Sequence, residues 1–153
     1  MTMRTLHTLF IYIALALSLA GCKNEDDIEA IFEGKTWYIT SGYVQGQPLR
    51  GDNLKTLCQS PQTYNISFSK ENFTATLGPG ITCSGRWQAD GKSNTFSFNV
   101  AQETQPQSQL DRLLWSALKK TVRYSGDTNL IELYADEANR ITLSIRRSPE
   151  SII

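Results

Sequence analysis

Apolar and polar residues alternate with a period of two along most of the chain. Five such runs lie between residues 37 and 100, at 37–41, 64–69, 73–77, 81–87 and 95–100. Three further strands are predicted towards the C-terminus, at 121–125, 129–135 and 140–147. This alternation is typical of antiparallel strands that turn one face to a core and the other to water.

Turn-forming residues separate these runs closely enough for hairpins. Asp90-Gly91 is the strongest of these signals, because both residue types tolerate a positive φ. Eight strands joined mostly in up-and-down order predict a mainly β fold, built as an antiparallel eight-stranded barrel or a strongly curled sheet.

The apolar spacing changes to that of a helix at 108–120. Leucines recur there on one face, and Ser108 with Asp111 forms a capping-box pattern. We therefore predict one amphipathic helix that covers one end or one face of the sheet. A short helix is also predicted within 26–33, and a helical turn within 51–57.

The N-terminus has the order of a bacterial lipoprotein signal peptide. An apolar segment at 9–17 is followed closely by Leu19-Ala20-Gly21-Cys22. We predict that residues 1–21 are removed and that Cys22 becomes a lipid-anchored N-terminus, whose acyl chains insert into the membrane. A transmembrane helix would need about 20 apolar residues. An ordinary secretory signal also ends in small residues, but it does not require the cysteine that follows them here.

The predicted domain organisation follows from this cleavage. Residues 22–33 form the lipidated cysteine with an acidic tether and a short helix, and residues 34–148 form a single β-rich domain. The acidic stretch at 25–27 resembles the one that Bacteroidetes surface lipoproteins carry close behind the lipidated cysteine. In enteric bacteria an aspartate directly after that cysteine is the signal for retention in the inner membrane. Lys23 stands at this position here. We therefore predict an outer-membrane lipoprotein that faces the periplasm or the cell surface.

Charge and histidine content narrow the function. The chain has 15 basic and 15 acidic residues, so it lacks the basic footprint of a nucleic-acid-binding protein. Its one histidine, His7, lies in the predicted signal peptide. The mature chain then has no histidine metal ligand and no histidine base for a serine or cysteine nucleophile. We expect no catalytic site, no metal and no cofactor.

Two cysteines remain after the predicted lipid site, Cys58 and Cys83. In an oxidising compartment an even pair predicts a disulfide. The alternatives are two free buried thiols or a redox pair, and the wide spacing of the two cysteines does not favour a redox pair.

The start of the predicted domain carries a family resemblance. Gly34-Lys35-Thr36-Trp37 has the Gly-x-x-Trp pattern found in lipocalin-like barrels and in the META domain of bacterial lipoproteins, and further matches lie at 82–92 and 123–127. The chain thus resembles uncharacterised Bacteroidetes lipoproteins with META-like or lipocalin-like domains. This resemblance implies a β-barrel in the cell envelope and no established reaction.

Aromatic residues fall on both faces of the predicted strands. Those on the inner face either fill the core or line a cavity for one small apolar ligand. The aromatics on the other side, predicted as a surface contact for a protein or a glycan, are Tyr38, Tyr43, Trp115 and Tyr134. We therefore expect a lipid-anchored, non-catalytic binding module whose partner is another envelope protein. The alternative is a carrier of a small apolar ligand inside the barrel.

Overall fold

The period-two runs form the strands of one antiparallel sheet in the computed structural model, which describes residues 25–146. In chain order the strands are β1 (Thr36–Val44), β2 (Gln47–Pro48), β3 (Tyr64–Phe68), β4 (Asn72–Leu77), β5 (Thr82–Asp90), β6 (Thr95–Glu103), β7 (Arg123–Gly126), β8 (Leu130–Tyr134) and β9 (Arg140–Ser144). β3, β4, β8 and β9 alternate buried and more exposed residues along their whole length, as the sequence pattern predicts.

The sheet closes because β1 pairs with both β3 and β9. The remaining strands pair in chain order from β3 to β9, so eight strands surround the core. The two-residue β2 pairs only with the end of β1 and extends it as a hairpin. The predicted eight-stranded antiparallel barrel is therefore confirmed.

Three α-helices accompany the barrel in the described part of the chain: α1 (Ile28–Phe32), α2 (Gly51–Gln59) and α3 (Gln109–Lys119). The helix α3 begins with the predicted capping box, in which Ser108 Oγ accepts from the Asp111 amide at 3.0 Å. The Asp111 carboxylate in turn accepts from the Ser108 amide at 3.2 Å. The helix contacts β4, β6 and β9. Because these strands are not neighbours in the sheet, the helix spans the barrel from one wall to another.

Phe32, the last residue of α1, packs into the barrel interior. Its ring centroid lies 5.1–5.3 Å from the centroids of Phe68, Trp87, Phe96 and Tyr124. Residues of the segment predicted to precede the domain are therefore part of its core. A ligand-sized cavity would leave its lining side chains accessible, but Phe32 and its four neighbours are between 0% and 6% exposed. The barrel interior is filled.

Trp115 corrects the predicted set of surface aromatics. The sequence places it beside the apolar stripe of α3, yet only 7% of the residue is exposed. Asp111 and Leu118, at helical spacing on either side of it, are also buried. The buried face of the helix is therefore wider than the leucine stripe alone indicates.

The two cysteines correct the predicted disulfide. The structure holds Cys58, in α2, and Cys83, in β5, as free thiols that are both buried. Cys83 belongs to the hydrophobic core, and its burial raises the pKa of the thiol to about 11, with the Glu103 charge adding to the effect. A buried thiol behaves as a small apolar side chain, which accounts for these positions without a covalent bond.

A thiol count tests this correction. A chain that starts at Lys23 and is denatured without reductant is expected to react with two equivalents of a thiol reagent. Before denaturation both thiols are expected to react slowly, because burial withholds them from the reagent. A denatured protein that consumes no reagent until it is reduced would restore the disulfide.

Candidate functional site

Four aromatic and basic side chains form a row across four neighbouring strands. Tyr43 of β1 is the direct partner of Arg140 in β9, Arg140 is the partner of Tyr134 in β8, and Tyr134 is the partner of Arg123 in β7. Direct cross-strand partners point to the same face of a sheet. These four residues, which we call the Tyr–Arg ladder, alternate with buried residues and therefore lie on the outer wall of the barrel.

The side chains of the ladder stack on one another. The guanidinium carbon of Arg140 lies 3.8 Å from the ring centroid of Tyr43 and 5.7 Å from that of Tyr134. The guanidinium carbon of Arg123 lies 3.7 Å from the same Tyr134 ring. Contacts of this kind contribute about 0.5–1 kcal/mol each at exposed sites, so the row is held in one arrangement.

Two glutamates balance the charge of the ladder. Glu132 accepts a hydrogen bond from Tyr134 Oη at 2.5 Å and another from Arg140 Nε at 3.2 Å. Glu137 forms an ion pair with Arg123. The hydrogen bond to Glu132 raises the pKa of the Tyr134 hydroxyl, since it favours the protonated form. The surface is therefore aromatic and hydrogen-bonding, with no net charge among these side chains.

Two turns fix the end of the barrel next to the ladder. The amide of Gln45 donates to Asn139 Oδ1 at 3.0 Å, and the amide of Gly46 donates to the Ala138 carbonyl at 2.9 Å. Asn139 also donates to both carboxylate oxygens of Asp136 at 3.0 Å and lowers the pKa of that carboxyl. The hairpins that carry Tyr43, Tyr134 and Arg140 are thus tied together.

The structure brings together two of the predicted surface aromatics, Tyr43 and Tyr134. Tyr38 lies farther along β1, where it is paired with Ser144 and Asn65. Arg140 and Arg123 are not among the residues predicted from the sequence. A signal for Arg140 was present, because a tight turn at 136–139 makes residues 134 and 140 direct partners. Arg123 required the register of β7 on β8, which a single sequence does not specify.

A second polar site holds the N-terminal end of the described chain against the barrel. The Asp26 carboxylate accepts from Tyr124 Oη at 2.8 Å and from Asn94 Nδ2 at 2.7 Å. The Asp26 amide donates to the Gly91 carbonyl at 3.1 Å. We call these contacts the Asp26 latch. Asp27 follows and caps α1, because its carboxylate accepts from the Ala30 amide at 3.0 Å. Asp26 and Asp27 of the predicted acidic tether are therefore held against the domain.

The predicted lipid site, Cys22, lies outside the described residues. None of the helices between residues 25 and 146 has the length and apolar character needed to cross a bilayer. Within the same range, no three histidine, cysteine, aspartate or glutamate residues are grouped as metal ligands.

The sequence profile of DUF4847, a domain of unknown function, matches residues 23–145. The chain belongs to the DUF4847 family. Its fold is similar to the 1.00 Å crystal structure of a DUF4847 family protein from Bacteroides vulgatus ATCC 8482, with a TM-score of 0.64 and 24% identity over 80% of this chain and 99% of that one. A structure solved by NMR is 16% identical over 76% of this chain and 92% of that one, with a TM-score of 0.48. No protein with curated annotation matches.

The DUF4847 match shows a family whose function is unknown. It also spans residues 25–33 together with the barrel. This agrees with the packing of α1 into the core and with the Asp26 latch.

Two buried tyrosines make the stability of the barrel sensitive to alkaline pH. Burial raises the pKa of Tyr124 to about 12, with the hydrogen bond to Asp26 adding to the effect. Burial and the Asp111 carboxylate raise the pKa of Tyr64 to about 12 as well. An unfolded tyrosine ionises near pH 10. The contribution of both groups is therefore complete below pH 10 and is lost as the pH rises towards 12.

Urea unfolding at pH 9, 10 and 11 measures this effect. The free energy of unfolding is expected to fall over this range, and to fall less steeply in a variant that combines Tyr64→Phe with Tyr124→Phe. An identical pH dependence in the two proteins would show that these hydroxyls do not have the raised pKa values.

Proposed function

We propose that this DUF4847 protein is a lipid-anchored module of the outer membrane that binds another envelope protein without catalysis. The observation that carries the proposal is the Tyr–Arg ladder. Tyrosine and arginine are enriched among the residues that dominate protein–protein binding energy. The ladder presents both types, and its arginine side chains are 21% and 38% exposed.

The ladder is suited to binding because it is already ordered. Stacking and the Glu132 and Glu137 contacts hold its long side chains in place, so a partner does not have to immobilise them. The paired carboxylates also limit the cost of removing Arg123 and Arg140 from water, since neither charge is left alone. An ordered surface with paired charges suits a neutral partner. The tyrosine rings would meet an apolar centre on that partner, and the arginine and glutamate side chains would meet hydrogen-bonding groups around it.

The Asp26 latch supports an anchored arrangement in which the barrel is held close to the membrane. Asp26 follows Cys22 by four residues, and such a segment spans at most about 14 Å. The latch joins Asp26 to Asn94 and Tyr124, and the ladder residue Arg123 lies next to Tyr124 in β7. A lipid on Cys22 would therefore hold this side of the barrel near the bilayer.

The carrier alternative has less support from the barrel interior. The side chains around Phe32 occupy the space in which a lipocalin-type ligand would lie. A binding surface on the outer wall does not require that space.

Metabolic labelling with an alkyne fatty acid tests the anchor. The full chain is expected to incorporate the label and to fractionate with the outer membrane, and Cys22→Ser is expected to lose the label. Cys58→Ser is the matched control, because it removes a buried thiol that has no part in the anchor. Labelling that persists in Cys22→Ser would contradict lipidation at this residue.

Site-specific photocrosslinking in cells tests the ladder. A photoreactive amino acid at Tyr43 is expected to give one discrete adduct with an envelope protein, whereas the same group at Thr74, exposed on the opposite wall, gives none. Arg140→Ala is expected to weaken binding to the captured protein about tenfold, because Arg140 orders both tyrosines. Equal adducts from both positions, or unchanged affinity in Arg140→Ala, would exclude the ladder as the binding surface.

A further inference from the structure

The pairing between β6 and β7 covers only the start of β6. β6 pairs with β5 along its length except at Ala101, where the register shifts by one residue, but its register with β7 is limited to Thr95 and Arg123. Two further hydrogen bonds extend the β6–β7 pairing by one residue on each side. The Phe96 amide donates to the Val122 carbonyl, and the Tyr124 amide donates to the Asn94 carbonyl. Beyond Phe96, no strand among residues 25–146 pairs with this side of β6. We call residues 97–101 the free edge.

At alternate residues of the free edge, the main-chain N–H and C=O groups point away from β5 and towards solvent. Asn94 and Phe96 direct their carbonyl and amide groups towards β7. Alternate residues of a strand direct these groups to the same side, so those of Phe98 and Val100 also point outward. An edge of this kind is a template for another strand.

The free edge lacks the charges that usually prevent such pairing. The chain is 20% charged, yet no charged residue occurs from Ser93 to Gln102. Exposed edges in soluble proteins commonly carry lysine or proline, which discourage pairing with a second chain. Here the outward side chains of Ser97, Asn99 and Ala101 are exposed and uncharged.

Space for an added strand lies beside the edge. A groove of about 500 Å³ runs along it and is lined by Phe98, Asn99, Val100, Ala101, Glu103 and Lys119. Lys119 of α3 forms an ion pair with Glu103 at 2.9 Å at one end of the groove. The groove therefore has no net charge that would select a charged peptide.

We propose that the free edge pairs with the free edge of a second copy, forming an antiparallel homodimer. A two-fold axis at Asn99 would place Phe98 opposite Val100 of the other copy, and Ser97 opposite its Ala101. These pairs bring no like charges together, and each Phe98 and Val100 supplies both a donor and an acceptor. A second copy therefore offers a strand of matching length, polarity and hydrogen-bonding pattern. The contact is of the self-complementary type that two-fold dimers use.

Charge substitution at the axis tests this dimer. The two Asn99 side chains would lie side by side, because their main-chain groups face β5 and the pair is of the closely spaced type. Asn99→Lys and Asn99→Glu are each expected to raise the dimer dissociation constant at least tenfold. An equimolar mixture of the two variants is expected to restore a dimer that contains one copy of each.

The experiment uses sedimentation velocity on the chain from Lys23 to Ile153, which contains the whole described barrel. Thr74→Lys adds the same charge to an exposed position on β4 and is expected to remain dimeric. A chain ending at Arg146 is also expected to dimerise, because the edge lies entirely within β6. Three results would each overturn the proposal: a monomeric wild type at 200 µM, a dimer unaffected by Asn99→Lys, or loss of the dimer on truncation at Arg146. Far-ultraviolet circular dichroism confirms that each variant is folded.

Discussion

The packing of Phe32 against Phe68, Trp87, Phe96 and Tyr124 is the interaction on which the rest of the structure depends. These rings meet at centroid distances near 5 Å, in edge-to-face and tilted arrangements that aromatic side chains favour. They occupy the interior that a ligand-carrying barrel would leave open. They also join the segment before the first strand to the core.

This internal packing determines which surfaces a proposed partner could reach. Because the interior is filled, a binding partner can reach only the outer wall and the strand edges. The outer wall carries the Tyr–Arg ladder on four adjacent strands, with its charges already paired. Tyr124 links the two regions, since its ring packs on Phe32 and its hydroxyl forms part of the Asp26 latch. The same cluster thus fixes the segment before β1 on the barrel.

The sequence predicts the features that depend on neighbouring residues. Alternating burial follows from the geometry of a strand, so the eight strands of the barrel were found, and the Ser108–Asp111 capping box lies within one helical turn. Trp115 was placed on the surface because its burial depends on how α3 meets the barrel. The number and the expected compartment of the cysteines predict a disulfide, whereas the structure holds both as free, buried thiols. The ladder combines β1 with β7, β8 and β9, which are distant from β1 along the chain, and only the register of the closed barrel aligns their side chains.

Native mass spectrometry of the chain from Lys23 to Ile153, purified without denaturation, tests the central claim that the barrel interior is filled by its own side chains. The account predicts masses equal to whole numbers of polypeptide chains, with no small molecule released on denaturation. A stoichiometric apolar ligand that leaves only when the barrel unfolds would contradict it.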